Sequence, residues 1–219
     1  QKHRIVYIEW ELVPEERQRR KAIKEIAEQQ GVNTLVHFTR LENLASILCH
    51  GLLSVEELER REIGFERNDR ARNDGHKNAI CLSVSFPNYK YFYTIRNQSG
   101  GHWVVLELKT DVLWQKDCAF AGTNAASGSV RKTQLEDLRA PAAFAELFGN
   151  PRLRQRLRLP DFYTTNPQAE VLVFEPIEPE YITRIITLPG EEAHVRSFLL
   201  ENLPAVGSLT ARSISITAD

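Results

Sequence analysis

Apolar residues in this chain fall into short runs separated by polar, turn-forming segments, and the period of each run predicts an element. Residues 171–174 form a continuous apolar run soon followed by Pro176, the pattern of a buried strand. Segments 34–38, 79–84 and 101–108 read the same way, 181–188 predicts a further strand, and 212–217 a last edge strand. Between them the period lengthens. Ala22, Ile23, Ile26 and Ala27 make a narrow apolar stripe within 15–30, which Pro14 opens, acidic residues follow and Gly31 ends. Leu41, Leu44, Ala45 and Leu48 share a helical face before Gly51, and Thr39-x-x-Glu42 has the form of a capping box in front of them. Ser54-x-x-Glu57 repeats that form and starts a short helix ending near Arg61. Segments 134–147 and 191–203 are helical in pattern, Pro141 making or breaking a turn in the first. Residues 5–12 alternate loosely, as a strand or an extended arm.

No repeat, low-complexity tract or linker interrupts this series, so one domain over 1–219 is the economical organisation. A chain of 219 residues, 42% hydrophobic and 26% charged, suits a single core. Its 28 basic and 29 acidic residues leave a net charge of −1, so no global field draws it to a polyanion and any such binding needs a local patch. Cys49, Cys81 and Cys118 are odd in number and far apart, which argues against a disulfide scaffold or a metal site and suits free thiols in a reducing compartment. No apolar run approaches the ~20 residues of a membrane span, and no signal peptide is visible. The sequence has no methionine, so the native start is expected upstream.

The polar segments carry the candidate chemistry. Glu170 stands at the entrance of the 171–174 run, where a carboxylate is costly unless it faces a cleft, a partner or water. His37 and Thr39 lie at a strand-to-helix junction; a satisfied histidine and an N-cap are sufficient roles for them, and both are compatible with contact to a ligand. The polar loop 63–77, with Arg67, Arg70 and Arg72 and a closing Asn73-Asp74-Gly75 turn signal, is either a solvated loop or a phosphate-handling one. The aromatic segment 86–93 is either core or a flat wall for a flat ligand. The small, polar segment 118–129 is a surface loop or a site border. Arg152, Arg154, Arg156 and Arg158, at every second position, spread charge around a helix or line one face of a strand; either could hold a nucleic-acid strand near Glu170, and Arg17, Arg19, Arg20 and Lys21 could help hold a polyanion, unless these are plain solvated surfaces. Glycine-rich phosphate loops, HExxH, GxSxG and GxGxxG are all missing, which removes the common routes to kinases, zinc and serine hydrolases and Rossmann dehydrogenases.

His37-x-Thr39 followed by Asn43-Leu44, Ile47 and Gly51-Leu52, with a late Gln168-Ala169-Glu170 on a strand, resembles the DarT family of bacterial toxin ADP-ribosyltransferases, which use NAD to modify bases of single-stranded DNA. The ordered motifs run from Thr34 to Phe174. The resemblance implies an α+β, ADP-ribosyltransferase-like fold in which two packed, mostly antiparallel β-sheets surround a split NAD cleft with peripheral helices. It implies Glu170 as the catalytic carboxylate and Arg72 as a second catalytic residue, with Arg67 and Arg70 as rivals for that place. His37, Thr39, Asn43, Leu53, Arg67, Tyr89 and Phe92 fall on the NAD side, and Asn124, Asn166, Arg152, Arg154, Arg156 and Arg158 on the DNA side. NAD is then a substrate, no metal is needed, the partners are single-stranded DNA and a macrodomain antitoxin, and the compartment is the cytoplasm. Breaking the nicotinamide–ribose bond builds positive charge on the ribose, which a fixed carboxylate stabilises more in the transition state than in the ground state. The stretch Ser83-Val84-Ser85-Phe86-Pro87-Asn88-Tyr89 departs from the thymine-modifying branch and leans towards guanine. An RNA or protein acceptor on the same fold, or a non-catalytic binding module, are the alternatives.

Overall fold

The computed structural model describes residues 13–66, 76–203 and 215–218. The arm expected over 5–12 and the arginines at 67, 70 and 72, with the turn after them, lie outside the described residues. Helix α1 (Pro14–Gln29) has proline in its first turn and Glu15 and Glu16 beside it, and it buries Ile23 and Ala27 of the apolar stripe. Arg20 is held by Glu16 and donates to the carbonyls of Trp114 (3.3 Å) and Gln115 (2.8 Å), which docks α1 at the far end of a later helix. The arginines of this helix are thereby partly consumed as packing staples.

The remaining elements are β1 (Leu35–Arg40), a 3₁₀ turn (Leu41–Asn43), α2 (Leu44–His50), α3 (Val55–Arg60), β2 (Ile80–Val84), α4 (Tyr89–Ser99), β3 (Trp103–Leu108), α5 (Val112–Gln115) and β4 (Cys118–Ala121). They continue with α6 (Gly128–Lys132), α7 (Leu135–Arg139), α8 (Pro141–Glu146), α9 (Pro151–Leu157), β5 (Glu170–Val173), β6 (Ile182–Thr187), α10 (Glu192–Asn202) and β7 (Ser215–Ala218). Three local differences from the sequence pattern have plain causes. The helix expected over 134–147 is two helices, because Ala140, preceding Pro141, is extended at φ −66°, ψ 145°. Thr39 does not cap a helix: β1 continues to Arg40, and the Thr39 hydroxyl instead accepts from Asn43. The aromatic segment opens a helix, α4, whose N-cap Asn88 accepts from the Tyr91 amide. Ser54 does cap α3, accepting from the Glu57 amide at 3.2 Å.

The α+β class and the mostly antiparallel pairing hold, but the strands join as one seven-stranded sheet, ordered β4-β5-β2-β1-β3-β6-β7, instead of two packed sheets. Among the described residues only the β6–β7 pairing is parallel. The sheet is nevertheless nearly divided. β1 pairs with β3 through all six of its residues, whereas its ladder with β2 has only the pairs Leu35–Val84 and Val36–Ser83. β2 gives its other end, Ile80 to Leu82, to β5. A core of Leu35, Leu44, Leu82, Leu106, Phe120, Val171 and their neighbours spans both halves, each residue almost wholly buried.

The chain leaving α2 is pinned to the segment after β5 by a bridge: Leu52 donates to Ile177 at 2.8 Å and Ile177 returns the bond at 3.0 Å. This approach requires Gly51, which has φ +82° and lies so close to the Ile177 carbonyl that an added Cβ would collide with it. Gly51→Ala is therefore expected to cost about 2 kcal/mol or more. Urea unfolding should show a lower midpoint with the same slope; an unchanged midpoint would mean the bridge tolerates displacement.

Candidate active site

Where the β1–β2 ladder stops, the two strands part and a cavity of about 400 Å³ lies between them, within the size range of ligand sites (roughly 300–1,000 Å³). Residues 36–39 line one side, 79–83 the other, and α2 with Leu52, Leu53 and Phe65 adds an apolar floor. His37 bridges the parted strands. Its Nδ1 lies 2.9 Å from the Cys81 carbonyl. A carbonyl can only accept, so Nδ1 carries the proton, and the imidazole replaces a missing rung of the ladder.

Glu170 reaches the same cavity from β5. Leu82 pairs with Val171, so Glu170 enters the sheet level with Ser83, one row from the place where β1 and β2 separate. The cost of a carboxylate at this half-buried strand entrance is offset by fixed donors: the Ala125 amide meets Oε2 at 2.7 Å and the Asn124 side chain meets Oε1 at 3.4 Å. Asn124 is itself held, its Oδ1 accepting from the Ala126 amide at 2.9 Å. The small, polar loop after β4 thus orients the glutamate.

Thr39 is buried at the far end of β1, and Asn43 spans three groups: Nδ2 donates to Thr39 Oγ1 (3.1 Å) and the Glu66 carbonyl (2.9 Å), while Oδ1 accepts from the Glu66 amide (2.7 Å). Both backbone groups of Glu66 are therefore tied to the cavity wall. His37, Thr39, Asn43, Leu53, Asn124 and Glu170, singled out from the sequence, are thereby brought together.

The aromatic candidates resolve differently. Tyr89 is about half exposed and Phe92 packs on Phe38 (4.9 Å between ring centroids) and Trp103 (5.8 Å), so neither lines the cavity. One helical turn decides this: Asn88 and Tyr91 occupy the wall instead. Asn88 is 2% exposed, and its Nδ2 has no acceptor among the described residues. The other polar candidates lie outside the cavity. Asn166 donates to the Gly122 carbonyl (3.1 Å) and accepts from the Gln168 amide (3.0 Å). Arg154 is engaged with the 160–165 loop, while Arg152, Arg156 and Arg158 are exposed on or just after α9. Among the described residues no cluster of three His, Cys, Asp or Glu could hold a metal ion. Cys118 is buried with its thiol donating to the Val112 carbonyl (3.4 Å), and burial pushes its pKa well above that of a free thiol. The residues that sequence reasoning missed are the Ala125 amide, which has no side-chain signature, and Asn88 with Tyr91, whose register depends on where α4 begins.

A family model described as "ssDNA thymidine ADP-ribosyltransferase, DarT" matches residues 36–205. No curated protein matches the sequence. Among solved structures, Thermosipho africanus DarTG in complex with ADP-ribose superposes with a TM-score of 0.58 at 17% identity, covering 85% of this chain. The chain spans 50% of that protein's length. Thermus sp. 2.9 DarT in complex with NAD+ superposes with a TM-score of 0.53 at 16% identity, over 85% of this chain and 95% of that one. The same protein in complex with ADP-ribosylated ssDNA gives 0.52 at 15% identity, over 86% and 95%. These likenesses establish a shared fold.

The bridging role of His37 is open to direct measurement. His37→Ala is expected to destabilise the fold by about 1–2 kcal/mol, because the Cys81 carbonyl loses its donor. Native-state hydrogen exchange should show faster exchange confined to the β1–β2 junction, and unchanged protection there would exclude the bridge.

Proposed function

The chain belongs to the DarT family of single-stranded-DNA ADP-ribosyltransferases, and from that membership we propose that Glu170 carries the transfer of ADP-ribose from NAD to a nucleobase. The observation that supports Glu170 is its carboxylate, held by the Ala125 amide in the cavity shared with His37, Thr39 and Asn43. NAD is the ADP-ribose donor. As the bond between nicotinamide and ribose C1′ breaks, its electron pair leaves with nicotinamide and positive charge grows on the ribose. A carboxylate already fixed by hydrogen bonds stabilises that charge without reorganising, which is where electrostatic catalysis gains most. Glu170 meets the 2′-hydroxyl in this reading. The ring nitrogen of the acceptor base then forms the bond to C1′, and its proton passes to the carboxylate.

His37 and Thr39 face the nicotinamide and its ribose, Leu53 supplies apolar contact, and Asn43 holds the wall on which the dinucleotide lies. Arg72 is the second catalytic residue, with Arg67 on the phosphates, where a forked guanidinium suits an anion. The description of the matching family model favours thymine over guanine as the acceptor; thymine in DNA offers one ring N–H, at N3. Asn124, through its contact with Glu170, borders the base, and Arg152, Arg156 and Arg158 hold the strand. The expected partner in the producing cell is an antitoxin macrodomain that removes the ADP-ribose. The DNA is that of the cytoplasm in this reading, and no helix among the described residues is long and apolar enough to cross a membrane.

Labelled NAD with single-stranded DNA, duplex DNA and RNA oligonucleotides tests this reading. Transfer should occur to single-stranded thymine-containing DNA and fall by about 10²–10³-fold in Glu170→Gln, the loss typical of removing one charge-stabilising group. Label on guanine would relocate the acceptor, and label on RNA or protein alone would overturn the DNA reading.

A further inference from the structure

Outside the cavity the surface carries an aromatic group that folding does not account for. Phe86 is 48% exposed and Tyr89 49%, an unusual placement for two neighbouring large rings. Tyr163, from the loop before β5, joins them: the Phe86 and Tyr163 ring centroids are 5.8 Å apart and those of Phe86 and Tyr89 6.4 Å, at interplanar angles of 47° and 59°. At such tilts the rings are not stacked on one another. Phe86 and Tyr89 therefore keep aromatic surface open to a ligand.

Both sides of this group are built rather than frayed. Ser85, at φ +60°, turns the chain out of β2, with its amide bonded to the Thr34 carbonyl at 3.0 Å. The Tyr163 loop is held by Arg154, whose guanidinium donates to the carbonyls of Tyr163 (2.7 Å), Pro160 (2.8 Å) and Asp161 (3.1 Å) and to the Thr165 hydroxyl (3.0 Å). One side chain thus positions the whole turn. The arginines two residues either side, Arg152 and Arg156, and Arg158 beyond them, are exposed and carry the local positive charge that a net charge of −1 does not supply globally.

Resting on the DNA reading above, we propose that Phe86, Tyr89 and Tyr163 form a stacking platform for the unpaired bases that flank the modified one, with Arg154 as the positioning residue that holds it. The two components have separable chemistry. Arginines meet phosphates, which every nucleic acid presents, whereas the rings need the exposed face of an unpaired base. The platform adjoins the cavity through α4, where Asn88 and Tyr91 line the wall while Tyr89 faces outward. A strand lying on it would pass the cavity mouth, so the platform selects for single strands and sets how flanking bases are presented.

Fluorescence anisotropy with a labelled single-stranded thymine oligonucleotide and an abasic strand of equal length, across a salt series, tests this. Phe86→Ala and Tyr163→Ala should each weaken binding of the base-bearing strand by about tenfold, or about 1.4 kcal/mol, without changing the slope of log affinity against log salt. Binding of the abasic strand should be as weak for the unaltered chain as for the variants. Arg154→Lys should reproduce the ring variants' loss at unchanged slope, whereas Arg152→Ala should flatten the slope. Melting temperatures of the ring variants, and their affinity for NAD, should not move. Equal affinity of the unaltered chain for the two strands, or ring variants that change only the slope, would overturn the platform. Absence of any oligonucleotide binding by an NAD-binding unaltered chain would instead remove the DNA reading on which it rests.

Discussion

A backbone ladder that stops after two rungs is the constraint from which the site follows. β1 pairs with β2 only through Leu35–Val84 and Val36–Ser83, while β2 pairs with β5 on its other edge through Ile80 to Leu82, and β1 and β2 part beyond Ser83. Diverging strands expose carbonyl and amide groups that a closed sheet would pair, and each unpaired group in a dry interior is costly. His37 answers part of that cost through Cys81. The cavity is thus a built gap, with an imidazole bridge close to where the strands part, and its polar lining follows from the same interruption.

Glu170 illustrates how orientation is obtained on such a gap. A strand end can hold a side chain at a defined height but leaves its rotamers open. The loop after β4 removes that freedom by donating the Ala125 amide to one carboxylate oxygen, and Asn124, itself bonded to the next turn of the loop, stands beside the other. Asn43 plays a comparable part on the opposite wall, joining Thr39 to both backbone groups of Glu66. That bond set places the last described residue before the 67–75 segment firmly beside the cavity. Asn43, expected from the resemblance as a ligand contact, thus has a positioning role through its bonds to Thr39 and Glu66.

Much of this was legible in the order of residues. Apolar runs located β1, β2, β3, β5 and β6, since buried strands need continuous apolar faces, and Pro14, Gly31, Gly51 and Ser54 marked helix ends through backbone chemistry that is local. Glu170 stood out because a carboxylate at a buried strand's entrance demands an explanation, whereas His37 and Thr39 stood out through the His-x-Thr motif of the family resemblance. Tertiary pairing was not legible: two packed sheets and one pinched sheet share the same strand pattern, because hydrophobic alternation records which face is buried and not how many rungs two strands share. Thr39 was misjudged as a cap for a related reason, its hydroxyl finding Asn43 because the strand runs to Arg40, two residues beyond the expected end. Tyr89 and Phe92 miss the wall because the aromatic segment opens a helix, on which successive side chains are turned by about 100°, so that Asn88 and Tyr91 line the cavity instead.

Selection of single strands need not come from charge. With acidic and basic residues almost balanced, long-range attraction to DNA is weak and would not distinguish one strand from two. Phosphate contacts by exposed arginines have the same limitation, since duplexes present phosphates more densely. What a duplex withholds is the face of a base and the freedom of that base to leave the stack. Glu170 is half-buried in a cavity between parted strands; on the proposed function, an acceptor would have to leave its stack to meet it. A base already unpaired pays less of that cost, and rings placed outside the cavity can hold its neighbours while it enters. On the proposed function, the pinch in the sheet, by setting the Glu170 carboxylate below the surface, makes strand separation part of the reaction's specificity.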